Sequence, residues 1–205
     1  MKHKAIYIFL FCMTISFTVL CCIQYVKQKD LRLINEELRK EVTKNNFLHA
    51  LIEGESYGTK SVGKILSNDI KLISQTGDTV MLKDIICDTN LIFNFSGSQC
   101  KLCAEEQIKM MKNELKVLMN YVFVFSDYVS SREMKVFKQT YNLESPVYTL
   151  TNPIGLPVDS IGRPYFFSIE KTDNKMYVKN VFVPLKELPA LSKNFLGSFN
   201  DRYTY

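Results

Sequence analysis

Cys100-Lys-Leu-Cys103 is the stretch of this chain whose residue types and spacing point to chemistry. A Cys-x-x-Cys pair can cycle between dithiol and disulfide, supply part of a zinc site, or sit as two small buried apolar side chains. Structural zinc needs four ligands. His3 and His49 lie outside this region, Cys87 is alone, and no second Cys-x-x-Cys exists. The flanks favour the redox dithiol. Leu91 to Phe95 is an apolar run of strand length, and Ser96, Gly97 and Ser98 break it. Ile108, Met111, Leu115 and Leu118 then recur every three or four positions, so a helix follows. Strand, turn and helix place the pair at a helix N-terminus, where unpaired N–H groups and the dipole favour a thiolate over a thiol.

The elements that must hold this motif are legible on both sides. Glu53 to Lys64 contains Gly54, Gly58 and Gly63 and reads as a linker. Ile70–Ile73 and Thr79–Leu82 flank a Gly77-Asp78 turn and make a β-hairpin. Lys83–Ile86 leads to the central strand, with Cys87 expected to be buried or half-buried. Tyr121–Phe125 is a second apolar strand. Ser130 or Ser131 caps a helix carrying Glu133, Met134, Phe137 and Tyr141. Pro146–Leu150, Pro164–Ile169 and Met176–Val183 read as further strands, 152–162 as a loop, and Leu185–Leu196 as a last helix. Strands alternating with helices imply an α/β fold. Residues 200–205 read as a loose tail.

The 205 residues allow one domain with appendages. At 46% hydrophobic and 23% charged the chain has the composition of a globular protein with a sizeable core. Its net charge of +5 is mild and spread over the chain, with no basic patch among aromatics, which argues against nucleic acid. Ala5 to Tyr25 holds no charged residue, long enough to span a membrane and longer than a signal-peptide core. No small-residue cleavage site follows it. Lys2 and Lys4 before it keep the N-terminus cytoplasmic. Leu20 and Cys21 stand where lipid attachment would want small residues, so Cys12, Cys21 and Cys22 read as apolar residues of an uncleaved anchor. In Lys27–Ile52, Leu31, Ile34, Leu38 and Val42 share one stripe, giving a helical stalk or a short homodimeric coiled coil, with His49 at its surface. The expected layout is therefore anchor 1–26, stalk 27–52, linker 53–64, catalytic-type domain 65–199 and tail 200–205.

From about Ile65 to Phe199 the order of elements resembles the thioredoxin fold with the N-terminal hairpin of TlpA/ResA-type membrane-anchored proteins. Asn94-Phe-Ser-Gly-Ser-Gln-Cys-Lys-Leu-Cys-Ala-Glu-Glu106 stands beside that family's Asn-Phe-Trp-x-x-Trp-Cys-x-Pro-Cys-x-x-Glu. Gly-Arg-Pro164-Tyr-Phe-Phe resembles its cis-proline loop. Asn94 stands where thioredoxin itself has a buried aspartate. The resemblance implies Cys100 as attacking thiol, Cys103 as resolving thiol, Glu106 as a buried carboxylate and Pro164 as the cis-proline. The chain departs from the pattern at Ser96 and Gln99, in place of two tryptophans, and at Leu102, in place of proline. In this arrangement a Cys100 thiolate forms a mixed disulfide that Cys103 resolves. Lys101 and Arg163 supply cations favouring the thiolate, and a buried Glu106 takes the proton of Cys103 as it attacks. Gln99 and Arg163 are the expected substrate contacts. Glu105 is expected to be solvated.

These readings converge on a thiol–disulfide oxidoreductase acting on disulfide-containing or dithiol proteins. It is expected on the cytoplasmic membrane, single-pass, with its domain facing the periplasm or extracytoplasmic side and with no cofactor or metal. Two other classes stay open. A thiol peroxidase of the peroxiredoxin type has Thr or Ser three residues before its reactive Cys, where this chain has Gly97. A non-enzymatic thioredoxin-like binding module fits the loss of both tryptophans.

Overall fold

The structure is a computed structural model describing residues 2–87, 89–96, 101–127 and 130–203; of residues 2–23, 26, 101, 117 and 203 it describes the backbone alone. The chain divides into two compact units, Met1–Leu48 and His49–Tyr205. Helix α1 (Lys2–Ser61) makes up the described part of the first unit and opens the second. Along 27–46 of α1 the side chains are exposed, including Leu31, Ile34, Leu38 and Val42. Among the described residues no helix is long and apolar enough to cross a membrane. The side chains of Ala5–Ile23, on which the anchor expectation rests, lie outside them, as do those of Cys12, Cys21 and Cys22.

Among the described residues the second unit is built on an eight-stranded sheet, with the short helix α2 (Leu82–Ile85) leading into its central strand. Its strands are β1 (Ile65–Leu66), β2 (Lys71–Ile73), β3 (Thr79–Met81), β4 (Thr89–Asn94), β5 (Val122–Ser126), β6 (Val147–Leu150), β7 (Tyr165–Thr172) and β8 (Lys175–Phe182). They lie in the order β1-β8-β7-β4-β5-β6-β2-β3. β4, β5 and β6 are parallel neighbours, whereas β7, β8, β1, β2 and β3 each join antiparallel. The central strand β4 is hydrophobic throughout its middle because both its faces are covered: Leu91, Ile92 and Phe93 are fully buried.

Alternation along the strands sends residues to two cores. Leu91, Phe93, Val122, Val124 and Phe166 meet α3 (Lys101–Glu114), α4 (Ser131–Tyr141) and α5 (Pro189–Tyr203) through Ile108, Met111, Met134, Phe137, Leu196 and Phe199. Ile92, Phe123, Tyr165, Phe167, Met176 and Val178 fill the other face with Leu156, Val158, Val183 and the half-buried Tyr57 of α1. Local signals acted as the residue types demand. The Ser130 hydroxyl caps α4 by accepting from the Glu133 N–H, and the Glu133 carboxylate accepts from the Ser130 N–H, both at 3.2 Å. The β2–β3 turn places Gly77 at φ 92°, a left-handed conformation that glycine adopts without strain.

Four expectations require correction. Residues 53–61 are not a linker: α1 continues to Ser61. Gly54 and Gly58 lie one turn apart and allow close approach, since a Cβ added at Gly54 would stand 3.2 Å from Val183 Cβ. Ser61 is fully buried and its hydroxyl accepts from the Val158 N–H at 3.1 Å. The compact unit therefore begins at His49. The last helix also starts and ends later than 185–196, at Pro189–Tyr203, so most of the expected tail is helical. Phe199, buried in the first core, holds it down. Cys87 is exposed: Ile86 takes the buried position beside it, and the Cys87 N–H is held by the Asn90 carboxamide at 2.8 Å. Finally, no peptide bond among the described residues is cis, so Arg163–Pro164 is trans. Gly162, at φ 66°, is the left-handed residue that ends the short helical turn before it.

Candidate active site

The site assembles where β4 ends. Phe95 continues the strand, its N–H donating to the Phe125 carbonyl at 3.1 Å, and its ring rests on Phe93 at 5.5 Å and Phe137 at 5.2 Å. This aromatic bed fixes the chain as it leaves the sheet. The hydroxyl of Ser96, which occupies a tryptophan position of the resembled family, donates to the Asp127 carboxylate at the end of β5. Gln99 and Cys100 lie outside the described residues.

Helix α3 begins at Lys101. Cys103 sits in its first turn, half-buried and disulfide-bonded. Leu102 is 70% exposed, so an apolar side chain stands in solvent immediately before Cys103. Ala104, Ile108, Met111 and Leu115 are buried and set the helix phase. That phase overturns the expectation for Glu106, which is exposed and so cannot act as a buried carboxylate beside Cys103. Glu105, expected in solvent, is half-buried and accepts a 2.6 Å hydrogen bond from the Tyr141 hydroxyl of α4. One helical turn on from Cys103, on the same stripe of α3, the polar Gln107 is only 3% exposed. Sequence reasoning missed it, although a glutamine set inside the stripe Ile108, Met111, Leu115 was a visible anomaly.

The antiparallel register Asn94↔Tyr165 brings the start of β7 to the end of β4 and sets buried Pro164 level with Phe95. Arg163 is tied to α1: its guanidinium donates to Glu53 Oε2 at 3.0 Å and to the Ala50 carbonyl at 3.2 Å. The Glu53 carboxylate thus balances the charge that was expected to act on a thiolate. Below the loop, buried Tyr165 donates to Asp159 Oδ1 and also hydrogen-bonds Asn94. Asp159 Oδ2 accepts from the N–H groups of Gly155 and Leu156, both at 2.9 Å. Burial, reinforced by the negative Asp159, pushes the Tyr165 phenol well above its ordinary 10.0. Asp159 was also missed, although an acid three residues after Leu156, with proline between, is a cap signal.

Among the described residues no three His, Cys, Asp or Glu side chains gather as a metal site. What the arrangement offers is sulfur chemistry: a cysteine in the first turn of a helix, half open to solvent, with a disulfide already formed.

No protein-family profile matches the chain, and no curated protein matches it. Solved structures do. A mutant form of peroxiredoxin Q from Xanthomonas campestris superposes with a TM-score of 0.50 at 10% identity, covering 70% of this chain and 99% of that one. The thioredoxin domain of a thiol-disulfide oxidoreductase from Bacteroides vulgatus gives 0.49 at 10% identity, covering 70% and 98%. Likeness at this identity is likeness of fold. Together with the strand order and the helix that follows β4, the first of these superpositions supports a mixed α/β, thioredoxin-like fold for the unit.

Proposed function

We propose that this chain is a membrane-tethered thiol–disulfide oxidoreductase of the TlpA/ResA type, exchanging disulfides with extracytoplasmic proteins through Cys100 and Cys103. The observation that carries this reading is the disulfide-bonded, half-exposed Cys103 in the first turn of the helix after the central strand. Cys100, three positions earlier, is the partner we assign to it. In the reduced form the Cys100 thiolate attacks a substrate disulfide, breaking its S–S bond and releasing one substrate thiolate. Cys103 then attacks the mixed disulfide, releasing the second thiol and closing Cys100–Cys103, so two electrons and two protons pass to the substrate. With Glu106 in solvent, the proton of Cys103 passes to water or to the departing thiolate. Ser96 and the exposed Leu102 give this surface a different character from the tryptophan- and proline-lined form of the family.

The anchor reading rests on the charge-free Ala5–Tyr25. Beyond it, the exposed Leu31, Ile34, Leu38 and Val42 give an apolar stripe that a second copy of the same helix would cover, with Asn45 a heptad after Leu38 as a register-setting polar residue. An isolated helix with such a stripe gains stability chiefly by burying it.

Turnover of the full chain in detergent tests the reading, with a disulfide-bonded protein and a peroxide as alternative oxidants. Disulfide-dependent turnover abolished by alkylation is expected. Peroxide consumption alone would assign the chain to the thiol peroxidases, and inertness to both would make it a binding module.

A further inference from the structure

We infer that Gln107 sets the redox poise of the dithiol by accepting a hydrogen bond from the Cys103 thiol in the reduced state; this rests on the dithiol reading above. Gln107 is 3% exposed, and its Oε1 has no hydrogen-bond partner among the described residues. A buried carbonyl oxygen left unpaired is costly, so a native fold that keeps one calls for a reason. Gln107 follows Cys103 by four positions on α3, which starts the two side chains about 5–6 Å apart on one stripe. Glu114 continues that stripe and meets Lys193 of α5 at 3.8 Å, so α5 covers this flank of α3. The neighbouring α3 side chains offer the amide no donor. Ala104, Ile108 and Met111 are apolar, and Glu105 is engaged by Tyr141. The buried Ser192 hydroxyl of α5 makes no hydrogen bond to it either.

The missing donor belongs to the other redox state. In the disulfide the Cys103 sulfur carries no proton and can donate nothing. A protein dithiol reduces the pair by supplying two electrons and two protons. The Cys100–Cys103 bond breaks, each sulfur gains a hydrogen, and the donor closes its own disulfide. The Cys103 S–H then has Oε1 as an acceptor within reach along the helix. A bond formed in one redox form alone stabilises that form. Gln107 therefore favours the dithiol and makes the couple more oxidising.

The test is a redox equilibrium of the full chain in detergent against reduced and oxidised dithiothreitol. Gln107→Met, which keeps length and removes the acceptor, is expected to move the equilibrium about tenfold toward the disulfide, or about 30 mV for a two-electron couple. Gln107→Glu, which keeps an acceptor oxygen, should show no such move. Thermal unfolding of each redox form provides a second reading: Gln107→Met should lower the melting point of the reduced form more than that of the oxidised form. Equal losses in both forms, or a Gln107→Met equilibrium within threefold of the parent, would overturn the inference. If the parent shows no reversible Cys100–Cys103 couple at all, the dithiol reading fails and this inference falls with it.

Discussion

Two buried polar groups on opposite faces of the same sheet are treated in opposite ways. Tyr165, under the loop that carries Pro164, is fully enclosed and fully answered: Asp159 accepts the hydrogen bond of its hydroxyl, Asn94 bonds its oxygen, and Asp159 in turn caps Gly155 and Leu156. Gln107, on the cysteine helix itself, is almost as deeply enclosed, and among the described residues its carbonyl oxygen has no partner. The first cluster is what a framework needs, because a satisfied buried network holds one arrangement. The second lies one helical turn after a cysteine whose ability to donate changes with its redox state. An unpaired acceptor has a use at a position whose neighbour gains and loses a proton.

The largest effect expected is on the reactive side. Cys103→Ser removes the resolving thiol, so disulfide turnover should fall by at least about 100-fold while partners accumulate as mixed disulfides on Cys100. Non-reducing electrophoresis with mass mapping reads this. Adducts on the exposed Cys87 instead would place the reactive thiol outside the helix.

Tyr165→Phe tests the framework side. It leaves Asp159 without its phenol donor and Asn94 without its phenol oxygen, and about 1–3 kcal/mol of stability should be lost equally from oxidised and reduced protein. The phenol holds its proton well above 10.0 in the fold and releases it near 10 when unfolded. Its contribution is therefore complete below pH 10 and drains away as pH rises beyond that. Denaturant unfolding across this range should show the parent losing stability more steeply than Tyr165→Phe. Unequal losses between the redox forms would erase the contrast between the two clusters.

A smaller effect separates neighbouring carboxylates on α3. Tyr141→Phe removes the hydroxyl that holds Glu105 and should cost about 0.5–1.5 kcal/mol by chemical denaturation. Glu106→Gln should leave both stability and the rate of disulfide exchange within about twofold, because its side chain is in solvent. A tenfold loss of exchange in Glu106→Gln would restore it as the proton acceptor.

Much of this was legible in the chain. The β4–turn–α3 order, the β2–β3 hairpin and the Ser130–Glu133 cap follow from local signals: period, turn chemistry and side-chain capping. What was not legible depends on phase or on distant partners. Glycines at 54 and 58 carry a turn signal, yet on a helix they are equally the residues that permit contact with Val181 and Val183, more than a hundred positions away. Glu105 and Glu106 are chemically the same, and a 100° rotation on α3, fixed by Ile108 and Met111, decides which one is half-buried. Arg163 was read by its neighbour Pro164, whereas its partner is Glu53.

The central claim is that Cys100 and Cys103 form one reversible redox couple. Disulfide mapping by mass spectrometry across a dithiothreitol titration tests it most directly. The expected result is a single intramolecular Cys100–Cys103 linkage that opens and recloses in one two-electron step, with Cys87 alkylated throughout. A Cys103 linked elsewhere, or a pair that stays reduced or stays oxidised at every ratio, would contradict it.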